Sequence, residues 1–146
     1  MTRFLPAALL ALATSGAAIL PSVSLAQTGA QTVSVAPSAL ATAPGRLVVD
    51  IREPDEWRET GVLPGVQLHS WRDPESFARA FAAELAAGDD IYLICRSGNR
   101  SYRAAEALSA ALGRPVIDVA GGMIEVAGKG HVPLVAPSPA AGCTVC

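Results

Sequence analysis

The sequence predicts an α/β fold, with a central, mostly parallel sheet of about five strands and helices on both faces. Three observations predict it. Residues 46–51, 91–94 and 116–119 are short, nearly continuous apolar runs, the pattern of strands buried on both sides. Between them lie longer stretches with helical spacing and clear cap residues. Strands that alternate with helices in this way pair in parallel, because the helix carries the chain back across the sheet.

The N-terminus reads as a targeting segment rather than as part of the fold. Met1-Thr2-Arg3 is a short basic start, residues 4–20 carry no charge and are mostly apolar, and Ser24-Leu25-Ala26 offers small residues at a cleavage site. Residues 1–26 are therefore expected to be a signal peptide, with a retained membrane anchor as the alternative. Cleavage would leave a secreted or periplasmic protein with no membrane attachment. Residues 27–45 are uncharged and rich in Ala, Ser, Thr and Pro, a linker with a short edge strand near 32–35 and a helical turn near 38–41. The chain has 11 basic and 13 acidic side chains, for a net charge of −2. No basic block suggests nucleic acid.

The domain proper is expected over residues 46–132. After the strand at 46–51, Glu53-Pro54-Asp55-Glu56-Trp57 opens a short helix, with Pro54 in its first turn and acids where the helix dipole favours them. Gly61 and Pro64-Gly65 end it and lead into a brief strand at 66–68. Asp73 caps the next helix and Pro74 takes its first position. Phe77, Ala80, Phe81 and Leu85 then mark one apolar face up to Gly88. A helix over 101–112 is expected to turn Tyr102, Ala105, Leu108 and Leu112 inward, and Gly113 and Pro115 stop it. The strand at 116–119 precedes Gly121-Gly122 and a short last helix or turn. Residues 133–146 read as a flexible tail ending in Cys143-Thr144-Val145-Cys146.

Chemistry concentrates at Cys95-Arg96-Ser97-Gly98-Asn99-Arg100-Ser101, which directly follows the 91–94 strand. In parallel sheets, ligands bind beyond the carboxyl ends of the strands, and Cys95 lies at such an end. Residues 96–101 supply consecutive N–H groups, Gly98 permits tight curvature, and the positive end of the following helix adds to their field. Such an anion cradle favours the thiolate of a cysteine placed in it.

These residues resemble the single-domain rhodanese-like sulfurtransferases. The resemblance is carried by Leu47-Val-Val-Asp50-Ile-Arg52-Glu53-Pro54 with Trp57, by Gly61-Val-Leu-Pro64-Gly65, by the Cys95–Ser101 loop with its Ala-rich helix, and by Val119-Ala-Gly121-Gly122. It spans residues 46–132. Two positions depart from the family pattern: Val62 stands for a usual His and Met123 for a usual Trp, both expected to lie away from the nucleophile loop.

The resemblance implies that Cys95 is the nucleophile and carries a sulfane sulfur as a persulfide. Arg96, Ser97, Gly98, Asn99, Arg100 and Ser101 would bind the substrate. Asp50 and Arg52 correspond to the family's supporting acid–base pair. Cysteine-dependent phosphatases resemble the site too, but they wrap a larger anion with a longer loop. The four residues 96–99 between Cys95 and Arg100 suit a single sulfur atom better. The expected partners are a small sulfane-sulfur donor such as thiosulfate and a thiol, cyanide or protein acceptor.

The alternatives are a non-catalytic binding module of this fold and a thiol redox protein using Cys143/Cys146. As a C-x-x-C pair, those two cysteines could form an idle disulfide or accept sulfur from Cys95. No second pair accompanies them, so structural zinc is not expected, and neither is any cofactor. His69 and His131 are isolated and read as surface or loop residues.

Overall fold

A computed structural model describes residues 29–33, 40, 44–129 and 133–146. The expected signal segment, most of the linker and His131 lie outside the described residues. The element order is β1 (Ala30–Val33), β2 (Arg46–Asp50), α1 (Pro54–Thr60), β3 (Gln67–Leu68), α2 (Pro74–Ala80), α3 (Ala82–Ala87), β4 (Asp90–Ile94), α4 (Asn99–Leu112), β5 (Val116–Val119) and α5 (Gly122–Lys129). A single 3-10 turn follows at Pro139–Ala141.

The five strands form one sheet in the order β1-β5-β4-β2-β3, and every pairing is parallel. Register follows from the apolar runs: Leu47 pairs with Ile91 and Val49 with Leu93, so like faces stack. Because side chains alternate along a strand, two cores result. On one face, Leu47, Val49 and Ile51 meet Ile91, Leu93 and Cys95 under Phe77, Phe81, Ala104, Ala105 and Leu108. On the other, Val48, Leu68, Ile94 and Val119 meet Trp57 from α1 and Met123 and Val126 from α5. Strands sandwiched this way cannot show the polar alternation of a half-exposed sheet, which is why the sequence reads as continuous apolar runs.

Three local expectations differ. The helix expected up to Gly88 is two helices, α2 and α3, broken at Phe81, which keeps its ring buried while its backbone leaves helical geometry. Tyr102 points outward at 43% exposure, and the inward stripe of α4 is Ser101, Ala104, Ala105 and Leu108. That stripe keeps helical spacing but begins one residue earlier, because Ser101 turns toward the sulfur of Cys95.

Residues 133–146 are docked rather than loose. Val135 exchanges both backbone hydrogen bonds with Val62 at 2.9 Å each. Cys143 is fully buried in the Trp57 core, and Cys143 and Cys146 form a disulfide. Gly142 sits so close to the Leu68 carbonyl that a Cβ there would stand 2.6 Å from its oxygen. With one apolar residue per few positions, a Pro/Ala-rich stretch looks like a linker; here Leu134, Ala141 and Cys143 are enough to seat it.

Candidate active site

The site is built at the carboxyl end of β4, where Cys95 leaves the sheet. Cys95 is unpaired and 1% exposed. Its Sγ accepts the Gly98 N–H at 3.2 Å and stands 3.3 Å from the Ser101 hydroxyl. That hydroxyl is also 3.1 Å from the Gly98 carbonyl, so its one proton serves two acceptors. Among the described residues, the N–H groups of Arg96 and Ser97 meet no acceptor. Asn99 begins α4, with Gly98 as its cap in the left-handed region at φ 95°. The first-turn N–H groups of that helix belong to the same loop. The Gly98 N–H and the Ser101 hydroxyl therefore both reach the one sulfur.

Gly121 and Gly122 hold the loop from the other side. A Cβ on Gly122 would collide with the Cys95 carbonyl oxygen and lie 2.8 Å from backbone atoms of Arg96 and Ser97. This contact lets the first turn of α5 donate the Met123 N–H to the Cys95 carbonyl at 2.7 Å and the Ile124 N–H to the Arg96 carbonyl at 3.0 Å. Met123, expected to lie away from the loop, is thus tied to it by its backbone, while its side chain enters the core. Val62, the other departure from the pattern, is a core residue bridged to Val135.

The two arginines of the loop differ. Arg100 places Nη1 2.8 Å from Oε2 of Glu56, across from α1. The same Glu56 oxygen accepts the Glu53 N–H at 2.9 Å, closing the capping box of α1. Burial works against ionising Glu56. The hydrogen bonds from Arg100 and Glu53 and the charges of Arg100 and Arg52 outweigh it and hold the carboxyl below its ordinary value. The bond to Glu56 raises the Arg100 guanidinium above its own ordinary value. Arg96 is exposed and has no acidic partner among the described residues. It lines a cavity of about 240 Å³ together with Arg52, Glu56, Glu59, Met123, Ile124 and Leu134.

Asp50 and Arg52 form a buried, forked pair. Nε of Arg52 lies 2.9 and 3.0 Å from the two Asp50 oxygens and Nη2 lies 2.7 Å from Oδ2. The remaining N–H groups reach the Thr60 hydroxyl and the Gly61 carbonyl at 2.7 and 2.9 Å. The pair therefore fastens the end of β2 to the end of α1, and Nη1 of Arg52 also lies 3.4 Å from the carbonyl of Glu56, the partner of Arg100. Losing one partner of such a pair would cost about 3–5 kcal/mol, since the other charge would be left buried alone. His69 follows β3 half-buried, its ring edge-on to Phe77 and Phe81. Burial and then the charge of Arg72 lower its pKa.

Two residues of this region were not singled out in the sequence. Glu56 looked like one of several helix-start acids, and nothing local marks it as the partner of a residue 44 positions away. Asp118 did leave a signal, an acid inside an otherwise apolar strand. It is 2% exposed, with Oδ2 3.4 Å from the Thr32 hydroxyl and Oδ1 without a partner. Among the described residues no group of three His, Cys, Asp or Glu side chains could hold a metal ion, and no helix is long and apolar enough to cross a membrane.

An all-parallel five-stranded sheet with a buried cysteine at a strand end, within reach of a backbone N–H and a hydroxyl, defines a class of small α/β domains. A sequence model of the Rhodanese-like domain family matches residues 36–129, well over half of the chain, and the protein belongs to that family. It is 38% identical over 82 residues to a Bacillus subtilis protein named "Putative sulfur carrier protein YrkF". The match takes in 56% of this chain but 42% of that relative, so the chain spans less than half the relative's length. Among solved structures, it is similar to a rhodanese-related protein from Thermoplasma volcanium, with 28% identity and a TM-score of 0.52 over 71% of this chain and 98% of that one. Protein hp1203 of Helicobacter pylori gives 25% identity and a TM-score of 0.52, covering 77% of this chain and 94% of that one.

Proposed function

We propose that the protein is a sulfurtransferase that moves a sulfane sulfur from thiosulfate or a similar anionic donor to a thiophilic acceptor through a persulfide on Cys95. The observation that carries this reading is the Cys95 sulfur itself, held within hydrogen-bond distance of the Gly98 N–H and the Ser101 hydroxyl. Family membership and the sulfur-carrier name of the Bacillus relative support the same chemistry.

In the first step the Cys95 thiolate attacks the outer sulfur of thiosulfate. The S–S bond of the donor breaks, sulfite leaves with the bonding pair, and a persulfide anion remains on Cys95. Loop N–H groups stabilise that charge as they would an oxyanion. In the second step the acceptor attacks the terminal sulfur: cyanide leaves as thiocyanate, or a thiolate leaves as its own persulfide, and the Cys95 thiolate returns. Arg96, without an acidic partner among the described residues, steers the donor, and Arg100 is held for the same anion by Glu56. Ser97, Gly98, Asn99 and Ser101 form the rest of the cradle, and Asp50 and Arg52 support it from beneath α1.

A double displacement requires ping-pong kinetics. Varying thiosulfate at several cyanide concentrations should give parallel double-reciprocal lines, and lines that intersect would contradict the covalent intermediate. We further propose that the chain is exported and cleaved after Ala26. The intact mass of protein recovered from an export-competent bacterial host would then begin at Gln27, and a full-length mass in the membrane fraction would support the anchor instead.

A further inference from the structure

We propose that Asp118 is a positioning residue for the nucleophile: through the Ser101 hydroxyl, its carboxyl group governs whether the Cys95 sulfur receives a hydrogen bond. The inference rests on the reading of Cys95 as the nucleophile but on no particular donor or acceptor.

The placement follows from the sheet. Asp118 pairs with Leu93 across β5 and β4, and with Thr32 across β5 and β1. Leu93 and Cys95 face the α4 side, in the same cluster as Val116, two residues before Asp118. Asp118 therefore points under the start of α4, where Ser101 is fully buried. A buried carboxyl normally has every oxygen partnered. Here Oδ2 has only the long contact to Thr32, and Oδ1 has no partner of normal geometry. The Ser101 hydroxyl is the other polar group acting on it, and it is the same hydroxyl that stands 3.3 Å from Sγ.

One hydroxyl proton thus faces three acceptors: the Asp118 carboxylate, the Gly98 carbonyl and the Cys95 sulfur. An ionised Asp118 draws that proton to itself and leaves Sγ with the Gly98 N–H alone. A protonated Asp118 donates its own proton to Ser101 Oγ, which frees the hydroxyl proton for Sγ. No atom is transferred; the hydroxyl rotates. Burial pushes the Asp118 carboxyl up from its ordinary value against the hydrogen bonds of Ser101 and Thr32, so the protonated form is less costly than usual. The polar groups that act on it are Thr32 from β1 and Ser101 from α4, and the outward-pointing Tyr102 phenol feels the Asp118 charge. Among the described residues no cation acts on Asp118 to hold it ionised.

The test is the rate of Cys95 alkylation by iodoacetamide, followed by intact mass on the full chain with no sulfur donor present, over a pH series. Asp118→Asn keeps the shape and removes the ionisation. It should move the pH of half-maximal alkylation down and speed alkylation at mildly acidic pH by about threefold to tenfold. Ser101→Ala should leave alkylation there close to wild type, because an ionised Asp118 already holds the hydroxyl proton, and in that background Asp118→Asn should have less than half of its effect. Thr32→Val, which weakens the ionised form of Asp118, should move the profile in the same direction as Asp118→Asn, and it stands in if the Asn variant does not fold. An unchanged profile in the folded variants would overturn the inference. So would an Asp118→Asn effect that persists in full without Ser101, since Asp118 would then act on the sulfur directly. Failure of sulfur transfer with every donor would leave this alkylation profile untouched, so the two readings fail separately.

Discussion

Oε2 of Glu56 lies 2.8 Å from Nη1 of Arg100, joining the first turn of α1 to the helix that begins at the Cys95 loop. Glu56 also closes the cap of its own helix, and α1 is in turn fastened to β2 by the Asp50–Arg52 fork. A chain of polar contacts thus runs from a buried ion pair to the cation beside Cys95.

Because the Glu56 carboxyl is held below its ordinary value, the ion pair adds stability above the usual carboxylate range and loses it as pH falls through the lower folded value. Arg100 is partly exposed, so screening keeps the contribution of the order of 1 kcal/mol or less. Glu56→Gln should therefore lower Tm by a few degrees near neutral pH. The gap between variant and wild type should narrow in scans taken progressively below the usual carboxylate range.

Arg96 and Arg100 should separate in kinetics. Arg96→Ala removes an exposed steering charge, so KM for thiosulfate should rise by about tenfold, with kcat changed by less than about threefold. Arg100→Ala removes a cation that is held in place and leaves Glu56 unpaired, so kcat and KM should both suffer. Steady-state assays with cyanide as acceptor read both, and equal effects of the two variants would contradict the distinction.

Much of this was legible in the chain. Apolar runs at 46–51, 91–94 and 116–119 announce buried parallel strands because sandwiched strands have no polar face to show. Cys95 and its loop were legible because a strand-end nucleophile, a glycine and a helix start are all local features. What stayed hidden depends on distance. Glu56 meets Arg100 only once β2 and β4 are adjacent, and Asp118 meets Ser101 only once β5 lies beside β4. The docking of residues 133–146 was hidden for the same reason, since it rests on one antiparallel bridge to Val62 and one buried cysteine.

That docking changes the expectation for the tail cysteines. Cys143 is buried in the core on the opposite face of the sheet from the cluster that holds Cys95, and it is already bonded to Cys146. A staple, rather than a relay for sulfur, fits this placement. The double variant Cys143→Ser, Cys146→Ser should lose about 1–3 kcal/mol in urea unfolding, from the disulfide and the buried sulfur together. Turnover toward cyanide and toward thiol acceptors should stay within about twofold of wild type. A selective loss with thiol acceptors would instead give the pair a part in transfer.

The central claim is that Cys95 carries the transferred sulfur, and intact mass spectrometry tests it most directly. The full chain incubated with thiosulfate should gain the mass of one sulfur atom, lose it on addition of cyanide with release of thiocyanate, and gain nothing as Cys95→Ser. A wild-type protein that stays unmodified with thiosulfate, polysulfide and other sulfane donors, or an adduct that persists in Cys95→Ser, would contradict the account.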